Sequence, residues 1–153
     1  MIRKANVRDP KCIMDLVNRF ASRELMLPLP LSETYDALRD FYVFEQDGRI
    51  VGCAALRVSW EGLGEIRSVA VAEEAQGRGV GTALVRACIA EARQLGMDRV
   101  FVLTYTPEFF DRFGFRRYPK EKLPHKIWSD CLKCPKFPNC DEVAMLVELA
   151  EAE

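Results

Sequence analysis

Gln76-Gly77-Arg78-Gly79-Val80-Gly81-Thr82 is the stretch on which the fold turns. It follows Glu65-Ile66-Arg67-Ser68-Val69-Ala70-Val71, which reads as a strand, and a polar run from Glu73. After it, Leu84, Val85, Cys88, Ile89, Ala92 and Leu95 form one apolar stripe at helical spacing, with Gly96 as the residue that ends the helix. Glycines at such a turn let backbone N–H groups point to one spot. With the positive end of the helix they make an anion site suited to a pyrophosphate. A Walker loop needs Gly-Lys-Ser/Thr, which occurs nowhere in the chain. A dinucleotide fingerprint needs a third glycine where Leu84 stands, and the nearest ribose-binding acid, Asp98, precedes its strand instead of ending it. The pattern that remains is Gln76-x-x-Gly79-x-Gly81.

Upstream, the alternation of Ile2-Arg3-Lys4-Ala5-Asn6-Val7 predicts a short strand, stopped by Asp9-Pro10. A helix follows with Ile13, Leu16, Val17 and Phe20 inward. Leu27-Pro28-Leu29-Pro30 breaks the chain, and Ser32 is expected to cap a second, short helix through Leu38. Phe41–Glu45 and Arg49–Val58 then form a hairpin about Gln46-Asp47-Gly48. Downstream come a buried strand at Val100–Leu103, a short helix at Pro107–Phe113 and a strand at Glu142–Leu149. The order βααβββαβαββ describes one α/β domain over residues 1–153, a mixed sheet with helices on both faces.

The glycine pattern, its place between strand and helix, and the element order resemble the GCN5-related N-acetyltransferase (GNAT) family from Ile2 to Leu149. That resemblance implies the acyl-CoA N-acyltransferase fold, a mostly antiparallel mixed sheet flanked by helices. It also implies acetyl-CoA as cosubstrate. Gln76, Gly77, Arg78, Gly79, Val80, Gly81 and Thr82 would hold the pyrophosphate of coenzyme A. The backbone of Val69, Ala70 and Val71 would pair with the pantetheine, a bulge there aiming an N–H at the thioester carbonyl. Phe109 and Phe110 would pack at the thiol end.

Acetyl transfer needs a neutral amine and hence a base. Glu65, eleven residues before Gln76, has the spacing of the glutamate base in histone-acetylating relatives. The alternative is an ion pair with Arg67, since i and i+2 on a strand share a face. Where many members carry a tyrosine that protonates the leaving thiolate, this chain has Phe110, and Tyr105 is the substitute or an aromatic wall.

Glu65–Val71, Phe101-Val102-Leu103-Thr104, Phe109-Phe110-x-x-x-Gly114-Phe115 and Leu123-Pro124-x-Lys126 resemble more closely the acetyltransferase domain of bacterial amino-acid N-acetyltransferases, the N-acetylglutamate synthases of arginine synthesis. Without the fused kinase domain of the long forms, the chain is similar to the short type. The implied acceptor is L-glutamate, with Arg67, Ser68 and Lys126 as candidates for its carboxylates. For each of these the plain alternative is a solvated surface group. A different amine (a protein N-terminus, lysine or polyamine) and a non-catalytic acetyl-CoA-binding module are the competing functions.

Composition bounds the rest. In 153 residues, 49% apolar content supplies a core, and a net charge of −1 argues against holding nucleic acid by phosphate neutralisation. No apolar run has the length of a membrane span, and the N-terminus has no secretory apolar core, so a cytoplasmic enzyme acting on a small molecule is expected. Assembly as a homodimer is left open. Cys12, Cys53 and Cys88 stand alone in apolar surroundings and read as reduced small hydrophobes. Cys131, Cys134 and Cys140 cluster, with His125 or Asp141 nearby, and three readings stay open: a structural zinc, inert thiols, or a disulfide or redox switch.

Overall fold

The structure, a computed structural model, describes residues 1–23, 26, 28–124 and 142–150. Its elements are β1 (Ile2–Lys4), α1 (Pro10–Ala21), α2 (Leu31–Asp36), β2 (Phe41–Gln46), β3 (Arg49–Trp60), β4 (Leu63–Val71), α3 (Val80–Gln94), β5 (Arg99–Thr104), α4 (Pro107–Asp111), β6 (Arg116–Arg117) and β7 (Val143–Glu148). The expected order is therefore met. The strands form one sheet in the order β1-β2-β3-β4-β5-β7-β6, in which β4 and β5 run parallel while β1/β2, β2/β3, β5/β7 and β6/β7 are antiparallel. The contacts divide into two compact units. The first is Met1–Arg57 with Ile66–Glu91, and the second is Val58–Glu65 with Ala92–Glu153.

In the first unit, Gln46 pairs with Arg49 across Asp47 (φ 53°) and Gly48 (φ 75°). Two positive φ values make the primed turn whose twist suits a hairpin. Cross-strand pairs bury Phe41 against Ala55 and Val43 against Cys53. Gly52 is the close-approach point for α3. A Cβ there would lie 2.8 Å from Val80 Cγ1 and 2.9 Å from Leu84 Cδ1, so only glycine lets the start of the helix settle on β3. The expected β1 is cut short at Lys4. The Asn6 N–H donates to Asp9 Oδ2 (2.7 Å), a local turn that competes with the strand ladder.

That turn belongs to a part-buried ionic cluster. Arg3 grips Asp9 with Nη1 to Oδ2 at 2.7 Å and Nη2 to Oδ1 at 3.1 Å, while its Nε donates to Glu45 Oε1 at 2.9 Å. Burial raises the Asp9 pKa, but the Arg3 fork and the Asn6 N–H outweigh it and the carboxyl ends below its ordinary value. Its contribution to stability is thus present above the ordinary carboxylate range and lost as pH falls through the folded value. Arg3→Ala should cost roughly 2–3 kcal/mol by stranding a carboxylate that is only 6% exposed. Thermal unfolding from pH 7 to pH 3 checks this: the Tm gap to the parent should hold near neutrality and close toward pH 3, and a gap that widens in acid contradicts it.

In the second unit, Leu63, Phe101, Leu123, Ala144 and Leu146 form the core, and Phe109, Phe110, Phe113 and Phe115 interlock edge to face, with centroids 5.0 Å apart for Phe109 and Phe110. β3 runs past the expected Val58 to Trp60 and β4 starts before the expected Glu65 at Leu63, leaving a two-residue turn at Glu61-Gly62, whose carbonyl at Gly62 accepts the Asp98 and Arg99 N–H groups. α3 ends at Gln94, and Gly96 (φ 82°) donates to Arg93 while Met97 donates to Ala92, the paired bonds of a Schellman cap. Leu95, expected on the apolar stripe, therefore lies past the helix end and is 57% exposed. Ser32 is not the cap of α2, since the helix starts at Leu31 with Pro30 before it. Cys12 is also a correction: it is exposed on α1, while Cys53 and Cys88 are buried as expected. Burial pushes both buried thiols up to about 12, so they stay protonated near neutral pH.

Candidate active site

β4 carries the central irregularity. It pairs with β5 at Leu63–Arg99, Gly64–Val100 and Glu65–Phe101, and this ladder goes no further, although β4 runs on to Val71. Three residues later Ser68 takes φ +54°, one of two non-glycine residues with positive φ among the described residues. A left-handed residue inside a strand marks a bulge and stores strain, which persists only where neighbours over-determine it. One such neighbour is Cys53, whose thiol donates to the Ser68 carbonyl at 3.3 Å. Past the bend, Ala70 is buried and Val69 and Val71 are half-buried, and the strand ends with the Ala72 N–H on the Val51 carbonyl (2.8 Å). The structure thus has a backbone irregularity at Ser68, one residue before Val69.

From β4 the chain makes a 3-10 turn over Glu73–Ala75 and enters the glycine loop. Gln76 points back: its Nε2 donates to the Val71 carbonyl at 3.0 Å, tying the loop to the strand end. Gly77 (φ 78°) and Gly79 (φ 81°) are left-handed, and a Cβ on either would find no atom within 4 Å. The loop therefore leaves open space beside a backbone that only glycine adopts without strain. The first helical bond of α3 runs from Ala83 N–H to Gly79 O (3.0 Å). The N–H groups of Val80, Gly81 and Thr82 thus lack a carbonyl one turn back, and they sit at the positive end of a helix of 15 residues. This donor set fits a phosphate-bearing cosubstrate.

The same unit also carries a group of charges. Arg67 and Arg57 are half-buried on β4 and β3, and Asp40 is half-buried just before β2. Burial raises the Asp40 pKa; Lys4, Arg57 and Arg67 oppose that, and Glu91 adds to it. Sequence reading found Arg67 but missed Arg57 and Asp40, which lie on three separate elements and share no local pattern. Lys4 also covers the Tyr42 ring at 4.6 Å and meets Glu91 at 3.3 Å, and burial with Glu91 nearby pushes the Tyr42 phenol up to about 12.

The first unit brings together Arg67, Ser68, Val69, Ala70 and Val71 with the loop Gln76–Thr82. Glu65, Tyr105, Phe109 and Phe110 belong to the second unit. Glu65 is 8% exposed, a rare burial for a carboxylate. Tyr105 follows β5 directly, in a turn held by the Thr106 N–H on Thr104 Oγ1 (2.9 Å). Phe110 is 3% exposed within the aromatic cluster and Phe109 is half-buried. Lys126, Cys131, Cys134 and Cys140 lie outside the described residues. Among the described residues no group of three or more His, Cys, Asp or Glu is placed to hold a metal, and no helix is long and apolar enough to cross a membrane.

Comparison with known proteins agrees with this geometry. The acetyltransferase (GNAT) family matches residues 12–115. An uncharacterized N-acetyltransferase of Chlorobaculum tepidum is 38% identical over 148 residues, covering 97% of this chain and 96% of that protein. The amino-acid acetyltransferase of Mycobacterium tuberculosis is 42% identical over 133 residues, covering 85% and 76%. Amino-acid acetyltransferases of Neisseria meningitidis are longer, and the match spans 30% of their length at 34% identity. Among solved structures, Rv2747 from Mycobacterium tuberculosis in complex with CoA superposes with a TM-score of 0.85 at 33% identity, over 97% of this chain and 98% of that one. N-acetylglutamate synthase from Neisseria gonorrhoeae, complexed with coenzyme A and N-acetyl-glutamate, gives 0.89 at 28% identity over 97% of this chain and 35% of that one.

Proposed function

This chain belongs to the GNAT family of acetyltransferases, and from that premise we propose that it transfers acetyl from acetyl-CoA to the α-amine of L-glutamate. The observation that carries the reading is the interrupted β4: a ladder that leaves β5 at Glu65, a left-handed Ser68, and an N–H-rich glycine loop at the strand's end. Backbone N–H groups from Val80 to Thr82 take the pyrophosphate. The strand edge at Val69–Val71 takes the pantetheine as an added strand.

In the reaction the neutral amine attacks the thioester carbonyl carbon, an N–H at the bulge stabilises the oxyanion, and collapse expels the thiolate of coenzyme A. Glu65 receives the amine proton. The thiolate, with an ordinary pKa near 8.5, leaves without an obligatory acid, so Tyr105 serves as an aromatic wall or a supplementary donor. Arg67 and Ser68 hold an acceptor carboxylate. Arg57, whose charge acts on the same Asp40 carboxyl as that of Arg67, is a second cation for it. The solved Neisseria gonorrhoeae relative with N-acetyl-glutamate supports this acceptor class. On this reading the enzyme works in the cytosol at the acetylation that commits glutamate to arginine synthesis. For Cys131, Cys134 and Cys140 a structural zinc site, inert thiols and a disulfide or redox switch all go with the same reading. One zinc per chain by elemental analysis supports that site, and none overturns it.

Gly79→Val tests the cosubstrate site. The fold should survive, because a Cβ at this position meets nothing, while a left-handed backbone at φ 81° resists a β-branched residue and the cradle loses its shape. Acetyl-CoA affinity measured by calorimetry should drop at least tenfold, about 1.4 kcal/mol. An unchanged affinity in a folded variant sinks the assignment.

A further inference from the structure

Glu73 and Glu74 stand immediately before the loop that is to receive a polyanion. At no more than about 3.6 Å per residue, their backbones lie within about 14 and 11 Å of Gly77, the first glycine of the loop that leads to the Val80–Thr82 N–H groups. That is near the Debye length at ordinary ionic strength, so bare carboxylates there would repel the phosphates of acetyl-CoA. Neither carboxylate is bare. Arg23, just after α1, places Nη1 2.6 Å from Glu73 Oε1, and Arg49, at the start of β3, places Nη2 3.7 Å from Glu74 Oε1. The four side chains are between 52% and 75% exposed. Pairs so exposed add little to stability, so folding alone gives no reason for two arginines from separate elements to meet these acids.

We propose that Arg23 and Arg49 are counter-charges that mask Glu73 and Glu74 from the phosphates of acetyl-CoA, and so set cosubstrate affinity from outside the glycine motif. The proposal rests on the acetyl-CoA reading of the loop. The two arginines act through the acids and are positioning residues, with no direct part in acetyl transfer.

Calorimetric titration of acetyl-CoA into the full-length parent, Arg23→Ala/Arg49→Ala, and the same variant carrying Glu73→Gln/Glu74→Gln tests it at about 0.1 M and about 0.01 M ionic strength. The double variant should bind about three- to tenfold more weakly at the higher ionic strength and lose more at the lower, since screening recedes. Its kcat at saturating acetyl-CoA should be unchanged. Removing the acids as well should bring the Kd back to within about twofold of the parent, a rescue that general structural damage does not produce. A Kd that stays at the parent's value in both salts overturns the proposal. A loss that persists after the acids are gone also overturns it, and means the arginines meet the phosphates themselves. A parent that fails to bind acetyl-CoA overturns the reading of the loop and the proposal together, an outcome distinct from normal binding by parent and variants alike.

Discussion

Glu65→Gln should lower turnover by roughly 10²–10⁴-fold near neutral pH while leaving acetyl-CoA affinity close to the parent value. The amide keeps the size of the carboxyl and removes its basic form, so the comparison isolates proton transfer. Glu65 is 8% exposed at the last rung of the β4/β5 ladder, where a buried carboxylate is costly unless it has a task or a partner. Steady-state rates across pH 6–9 for both proteins check the expectation. The pH profile of kcat/KM should differ between the two proteins. Equal rates and the same profile would make Glu65 a structural residue.

Arg67 should decide the acceptor. A guanidinium grips a carboxylate with two parallel hydrogen bonds, which a single ammonium cannot reproduce, so Arg67→Lys should already raise the KM for glutamate. Arg67→Ala should cost roughly 2–4 kcal/mol in kcat/KM for glutamate by leaving a carboxylate unpaired at a desolvated site. An uncharged amine should be far less affected. If Arg67 instead serves to hold Glu65 beside it on β4, its loss disturbs the base and reduces kcat for every amine equally. Kinetics with glutamate and one uncharged amine therefore separate the two roles.

Much of this was legible in the chain because the signals are local. The apolar stripe from Leu84 to Ala92 and the glycines at 77, 79 and 81 sit next to one another, and the helix and loop follow from spacing alone. The Asp47-Gly48 turn is equally local. What escaped depends on distant partners or on the competition between short-range bonds. Leu95 has the spacing of a buried residue, yet the Gly96 cap ends α3 one residue earlier and leaves it exposed. β1 stops at Lys4 because Asp9 takes the Asn6 N–H, and no propensity scale weighs that bond. Ser68 carries no mark in the sequence of the left-handed conformation it adopts. The charges about Asp40 come from β3 and β4 as well as from its own neighbourhood, so Arg57 becomes a candidate only once the strands are laid side by side.

Acetylation of glutamate from acetyl-CoA is best checked by an acceptor screen with the purified protein. Acetyl-CoA is supplied with glutamate, other amino acids, polyamines or peptides, the release of coenzyme A is followed by free-thiol detection, and the product is identified by mass. Glutamate should give the highest kcat/KM and yield N-acetyl-L-glutamate at the rate of thiol release. A higher kcat/KM with a polyamine or a peptide, or thiol release that does not depend on added glutamate, would contradict it.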